Sequence, residues 1–322
     1  MRRPSLALAC LLVVGLVSCN RAPAPGSAAE GPDTSKDTEA RLAVLSPALA
    51  ATLDDLGLGD LVVAKHDFDM VLGDDIQAVG HNEAIDYERL LLTEPTHVLI
   101  EESARGVPKR LEDIAADRGW IVRTFALRTI DDVARTADDL ALAFGAADFN
   151  ADAEPGPSGV PGMAAFDDPS ARLGRELPSA ELAKAMRPVE GAASIGPVLL
   201  LASVDPPAAV GPGSFHHDIL VRLGAISAIT EGAAWMELDA EDVLGLAPAA
   251  IVLIQPRAVG EPSGDNGAEA TRSRLGAIGE LPLPAVSAAR LATIDDPLAF
   301  LPSLSMVTFA DELSSVLERW AD

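Results

Sequence analysis

The sequence predicts an α/β protein of two Rossmann-like lobes with mostly parallel sheets, and three observations carry that prediction. From residue 42 onward, short apolar runs alternate with amphipathic helical patterns, as expected of parallel strands covered by helices. A block of the first half recurs in the second: Asp86 and Asp239, Glu88 and Glu241, Leu91 and Leu244, and Pro95 and Pro248 are each 153 residues apart. The length of 322 residues suits two domains rather than one.

The chain opens with an export signal. Arg2 and Arg3 precede an apolar run from Ser5 to Val17, too short to span a bilayer, which takes about 20 residues. It reads as the h-region of a signal peptide over residues 1–18. Leu16-Val17-Ser18-Cys19 resembles the bacterial lipobox, in which the cysteine receives the lipid. Cleavage there removes Cys10 and leaves Cys19 acylated, so no disulfide is expected. Residues 19–40 are rich in Pro, Gly, Ala, Ser and Thr and read as a disordered tether. The expectation is a lipid-anchored protein working outside the cytoplasm.

The N-terminal lobe, residues 41–146, begins with a strand at Leu42–Leu45. Ser46-Pro47 then supplies a capping hydroxyl and a first-turn proline for a helix. Strands follow at Leu61–Ala64 and Ala78–Val79, a helix at Asp86–Thr93 and a strand at Val98–Ile100. A helix at Val107–Arg118, a strand at Ile121–Thr124 and a helix from Ile130 to about Phe144 complete the lobe. Residues 147–196 interrupt the alternation with a Pro/Gly-rich insertion, then a helical pattern from about 170 to 186 that contains Pro178. The C-terminal lobe, residues 197–322, resumes with strands at Val198–Ala202, Ile251–Ile254 and Leu291–Ile294. Its helices are expected at Ser214–Leu223, Asp239–Leu246, Ala270–Ile278 and Thr308–Trp320.

Charge narrows the partners. With 24 basic and 49 acidic residues the net charge is −25, which excludes a nucleic-acid backbone as partner and disfavours broad contact with anionic lipid. Hydrophobic and charged fractions of 48% and 23% are those of an ordinary globular protein.

Each copy of the repeat holds an Asp N-cap, a first-turn Glu, an apolar helix face, a proline past the helix end and a buried strand. Acids at a helix start oppose the positive end of its dipole, but that does not account for spacing kept through to the strand. Leu45-Ser46-Pro47, Asp86-x-Glu88-Arg89 and Glu94-Pro95-Thr96-His97-Val98-Leu99 together resemble the periplasmic substrate-binding proteins for cobalamin and iron–siderophore. Gly213-Ser214-Phe215, Trp235 ahead of Asp239-x-Glu241, and Ala247-Pro248-x-x-Ile251-Val252 agree with this from the second half. The resemblance covers about 41–145 and 197–320. It implies two lobes joined by a backbone helix, a ligand cleft between them, and delivery of the ligand to an ABC permease dimer with its ATPase. It also implies that Glu88 and Glu241 seat the protein on that permease, one charge per lobe. Asn82 stands where cobalamin-binding members often carry a cleft aromatic.

Ligands of open α/β sheets sit beyond the carboxyl ends of strands. That rule selects His66, Asp67, Phe68, His81, Asn82 and the Glu101-Glu102-Ser103 loop in the first half. In the second it selects Ser214, Phe215, His216, Trp235 and Arg257. Aromatic walls with a few polar contacts suit a large, flat metal chelate, and the resemblance implies a ferric siderophore or a corrinoid as the ligand. No resident cofactor or metal is expected, and the protein is expected to be a monomer. Bare zinc or manganese on His66, His81 and His216 or His217, with Asp67 or Asp69, is the alternative, with haem beside it. A ligand-sensing lipoprotein without a transport role is an alternative of another class. Enzyme chemistry is not expected. Gly211-Pro212-Gly213-Ser214-Phe215 fails the nucleophile-elbow pattern at its last position, and Ser214 reads as a helix cap.

Overall fold

The computed structural model describes residues 40–81, 84–145, 174 and 176–321. The export signal, Cys19, the tether up to residue 39, Asn82 and most of the Pro/Gly-rich insertion lie outside them. No described helix is long and apolar enough to cross a membrane.

The first sheet contains β1 (Leu42–Val44), β2 (Val62–Lys65), β3 (Gln77–Ala78), β6 (His97–Glu101) and β7 (Ile121–Phe125). Its order is β3-β2-β1-β6-β7 and every pairing is parallel. β1 is buried throughout, as a strand covered on both faces must be. Ser46 turns β1 into α1 (Pro47–Asp55): its Oγ accepts from the Leu49 N–H at 3.4 Å, and Pro47 occupies the first turn. α2 (Tyr87–Leu92) and α3 (Lys109–Arg118) cover one face of the sheet, while α1 and α4 (Ile130–Phe144) cover the other.

A two-stranded hairpin, β4 (Gly80–His81) with β5 (Ala84–Ile85), leads from β3 into α2. Gly80 is obligatory there. Its φ is +92° and a Cβ would lie 2.2 Å from the Ala84 carbonyl oxygen.

α4 begins with a Thr129/Asp132 capping box and buries Ile130, Val133, Ala137, Leu140, Ala141 and Phe144 at helical spacing. In the interlobe stretch Pro178 occupies the first turn of α5 (Pro178–Ala185). A first-turn proline forfeits no intrahelical hydrogen bond. α5 packs against both α4 and the C-terminal helix α10 (Met306–Ala321).

The second sheet is mixed. It contains β8 (Pro197–Val204), β9 (Pro207–Val210), β11 (Trp235–Glu237), β12 (Ala250–Ile254) and β13 (Leu291–Ile294) in the order β11-β9-β8-β12-β13, with β10 (Ile226–Ser227) also on β8. β9 runs antiparallel to both neighbours, a feature the sequence reading did not contain. α6 (Phe215–Arg222), α7 (Ala240–Leu246), α8 (Ala268–Leu275) and α9 (Pro284–Ser287) complete this half. One apolar core runs from Leu49 and Leu53 of α1 through Leu140 and Leu182 to Leu220 and Phe309, so both sheets share it. Leu140 is fully buried, and truncating it to Ala would cost about 2–5 kcal/mol. Arg222 of α6 also reaches Asp131 of α4 at 2.9 Å.

Candidate ligand site

The carboxyl ends of β1, β2 and β6 lie side by side in the first sheet and present Ser46, His66 and Glu101. Beyond β2, three rings gather. His66 lies 5.5 Å from Phe68 and 5.9 Å from His81, and Phe68 lies 6.0 Å from His81. Phe68 is 69% exposed, a large solvent-facing apolar surface beside two imidazoles. The His66 Nδ1 accepts from the Phe68 N–H at 3.0 Å, which leaves the proton of the neutral ring on Nε2. Lost hydration, and after it the nearby His81, hold the His66 pKa below its ordinary value. The His81 Nδ1 is buried and has no hydrogen-bond partner among the described residues.

Asp67 does structural work in the same loop: its Oδ1 accepts from Gly80 N–H at 2.9 Å, pinning the loop to the hairpin. Lys65 donates to the carbonyls of Leu72 and Gly73 at 2.9 and 3.0 Å and lies 3.9 Å from Asp69.

A cavity of about 550 Å³ opens at the end of β6, lined in part by Ile85, Tyr87, Glu101, Ser103, Ala104 and Arg105. The Ser46 hydroxyl donates to Glu101 Oε2 at 3.3 Å. Desolvation raises the Glu101 pKa above the usual carboxylate value, and the Ser46 bond partly opposes the rise.

In the second half Trp235 is 51% exposed and Phe300 37%, their rings 6.4 Å apart. Phe300 was not selected from sequence, although it follows β13 and its Asp295-Asp296 turn, where the strand-end rule points. Ser214 is the N-cap of α6. It accepts from His217 N–H at 3.1 Å and donates to Gly211 O at 2.8 Å, which leaves no hydroxyl proton for nucleophilic chemistry.

His216 departs from the expectation. It is 3% exposed, its Nε2 lies 2.8 Å from the Ala299 carbonyl, and its ring stacks on Phe215 at 3.8 Å. Burial lowers its pKa to about 4. The structure places it inside the lobe beneath Phe215 and Phe300, not on a ligand-facing surface.

Arg257 is a brace. Its Nε donates to Glu261 O at 2.7 Å and its Nη1 to Asp295 O at 2.8 Å. The Asp295 carboxylate then holds Ser263 and Gly264. Among the described residues no three His, Cys, Asp or Glu side chains are grouped to hold a metal ion.

The two repeat helices carry their glutamates outward. Asp86 caps α2 by accepting from Glu88 and Arg89 N–H at 3.1 Å. Asp239 and Asp242 form a capping box at α7. Glu88 and Glu241 are both exposed, and Glu241 borders a groove of about 440 Å³ that also touches Glu237 and Gly245.

No family model matches the chain, and no curated protein does. Solved structures do. The periplasmic haem-binding protein HutB of Vibrio cholerae superposes with a TM-score of 0.60 at 17% identity, covering 86% of this chain and 98% of that one. The periplasmic vitamin B12-binding protein BtuF of Vibrio cholerae gives 0.56 at 14%, covering 87% and 97%. The siderophore-binding protein FhuD of Vibrio cholerae, bound to Fe3+-Desferal, gives 0.57 at 14%, covering 88% and 100%. The chain therefore has the two-lobed fold of the periplasmic solute-binding proteins. The proteins it matches bind haem, vitamin B12 and a ferric siderophore, and none of the three is described as an enzyme.

Proposed function

We propose that this protein is the lipid-anchored, extracytoplasmic binding protein of an ABC importer, and that it captures a ferric siderophore or a corrinoid between its lobes. The observation that carries this reading is the pair of exposed aromatic groups on one fold: Phe68 with His66 and His81 in the first lobe, Trp235 with Phe300 in the second. Exposed rings in two lobes are what a large chelate needs as opposing walls, and the fold is the one on which the matched proteins bind such chelates. Glu88 and Glu241, displayed at equivalent helix starts, would meet a two-fold symmetric permease. Cys19 would hold the protein at the membrane.

Protein purified from its own cells tests this directly. Its absorption spectrum and native mass should reveal a bound chelate, and adding ferric siderophore or corrinoid to the emptied protein should quench tryptophan fluorescence. Tight binding of free zinc or manganese with no response to any chelate would overturn the reading. Cys19→Ser should release the protein from the membrane fraction.

A further inference from the structure

The aromatic wall of the second lobe rests on a buried imidazole. The His216 ring meets three others: Phe215 stacked at 3.8 Å, Phe300 edge-on at 5.3 Å and Phe309 edge-on at 5.0 Å. Phe309 is fully buried in α10, whereas Phe300 reaches solvent beside Trp235. The imidazole therefore joins the core to the wall.

An apolar side chain could fill the same space without burying polar ring nitrogens. What the imidazole adds is a donor. A carbonyl only accepts, so the 2.8 Å contact is Nε2–H donating to Ala299 O. That carbonyl belongs to the planar peptide that leads into Phe300, and holding it fixes the plane from which the Phe300 side chain departs. Phe300 stands on an irregular turn between β13 and α10, where no helix or strand sets its direction. Asp296 fastens the same turn from its N–H side: its Oδ1 accepts from Leu298 N–H at 3.0 Å and its carbonyl from Ala299 N–H at 3.1 Å. His216 fastens the carbonyl side.

We propose that His216 is the positioning residue of this wall: by donating to Ala299 O and bearing on the Phe300 ring, it holds Phe300 beside Trp235 so that both rings meet a flat chelate. This rests on the chelate-binding reading above and names a residue that governs affinity without touching the ligand. Without the bond the turn is free to swing Phe300 away from Trp235, and that freedom must be given up again each time a chelate binds. The effect reaches the ligand only through Phe300.

Calorimetric titration of the purified full chain with cyanocobalamin and with ferric desferrioxamine tests this. His216→Met fills the space with a flexible apolar side chain and removes the donor. Measured well below the melting temperature of the variant, it should weaken whichever chelate binds by about tenfold. His216→Gln, which restores a donor to Ala299 O, should bring affinity back to within about threefold of the parent. Phe300→Ala should itself weaken binding by about tenfold or more. Adding His216→Met to Phe300→Ala should then change affinity by no more than about twofold, because the two residues act as one unit. A role confined to stability would lower the melting temperature of His216→Met and leave the affinity of the folded protein unchanged, and that result would overturn the proposal. So would equal losses from His216→Met with and without Phe300, or a Gln variant as weak as the Met variant. Should His216→Met not fold, the Gln variant decides alone by the same criterion. Failure of both chelates to bind the unaltered protein would overturn the positioning role and the chelate reading together.

Discussion

Glu94 and Ala247, 153 residues apart, hold the same left-handed backbone conformation, with φ of 43° and 44°. Among the described residues only Ala289 shares a positive φ without being glycine. Both end the repeat helix and precede its proline, Pro95 or Pro248, which disfavours a right-handed helical conformation in the residue before it. The left-handed turn lets the chain leave the helix and enter a central strand, β6 or β12. The two halves thus share a backbone solution as well as a sequence pattern, down to a residue that holds an unfavourable φ.

Ala247→Gly should therefore stabilise the fold. A left-handed non-glycine residue costs about 1–2 kcal/mol, and the extra freedom of glycine in the unfolded chain returns about 0.5–1 kcal/mol of that. A net gain of about 0.5–1 kcal/mol should appear as a raised urea midpoint with unchanged slope. Loss of stability would show that the Ala247 methyl group makes contacts worth more than the strain.

The same repeat displays Glu88 and Glu241, and their role is open to a clean separation. Glu88→Lys with Glu241→Lys should cost only the helix-dipole energy of exposed first-turn charges, about 0.3–1 kcal/mol each. The double variant should fold and bind ligand, yet fail to support uptake in cells. Loss of ligand affinity in the purified variant would move these residues from docking to the ligand site.

Much of this was legible in the sequence because it was written as periodicity and punctuation. The alternation of buried strands and amphipathic helices, the capped start of α1 at Ser46-Pro47 and the repeat all survive into the structure. β9 was not legible, because Pro-Ala-Ala-Val has neither β-branched density nor length, and its pairing comes from the hairpin with β8. His216 was selected by its place after a strand, but His216, Ile219 and Leu220 form the i, i+3, i+4 stripe that marks a buried helix face. That stripe could have identified it as a core residue. Phe300 sits on an irregular turn where no period operates, and only the tertiary contact with Trp235 singles it out.

His216 leads to a pH prediction. Its pKa falls to about 4 on folding from an ordinary 6.5, through burial. Between those values the unfolded chain takes up a proton that the folded chain refuses, so stability falls as pH drops from 6.5 to about 4. His216→Gln keeps a side-chain donor for Ala299 O and cannot titrate. Urea unfolding across this range should show a shallower acid loss in the variant than in the parent. Parallel curves would mean that the imidazole is solvated in solution.

Asp55 should act with the opposite sign, and the two effects can be told apart. It ends α1 beside a hollow of about 220 Å³ that it shares with Glu176, Glu181 and Leu304. Lost hydration first, then Asp54, Asp296 and Glu181, raise its carboxyl from 3.8 to about 6. Here the folded chain holds a proton that the unfolded chain has released. The repulsion is therefore absent below pH 3.8, grows as pH rises toward 6, and is fully present above it. Asp296 strengthens the case, since its Oδ2 is buried without a partner among the described residues and its own pKa is also raised, chiefly by burial. Asp55 keeps surface open to solvent, so screening reduces the effect and its size should shrink further with added salt. Asp55→Asn should raise the melting temperature at pH 7.5, and the gain should vanish by pH 3.5. An equal gain at both pH values would trace the benefit to helix capping or packing, and the charge account of this acidic seam would fail.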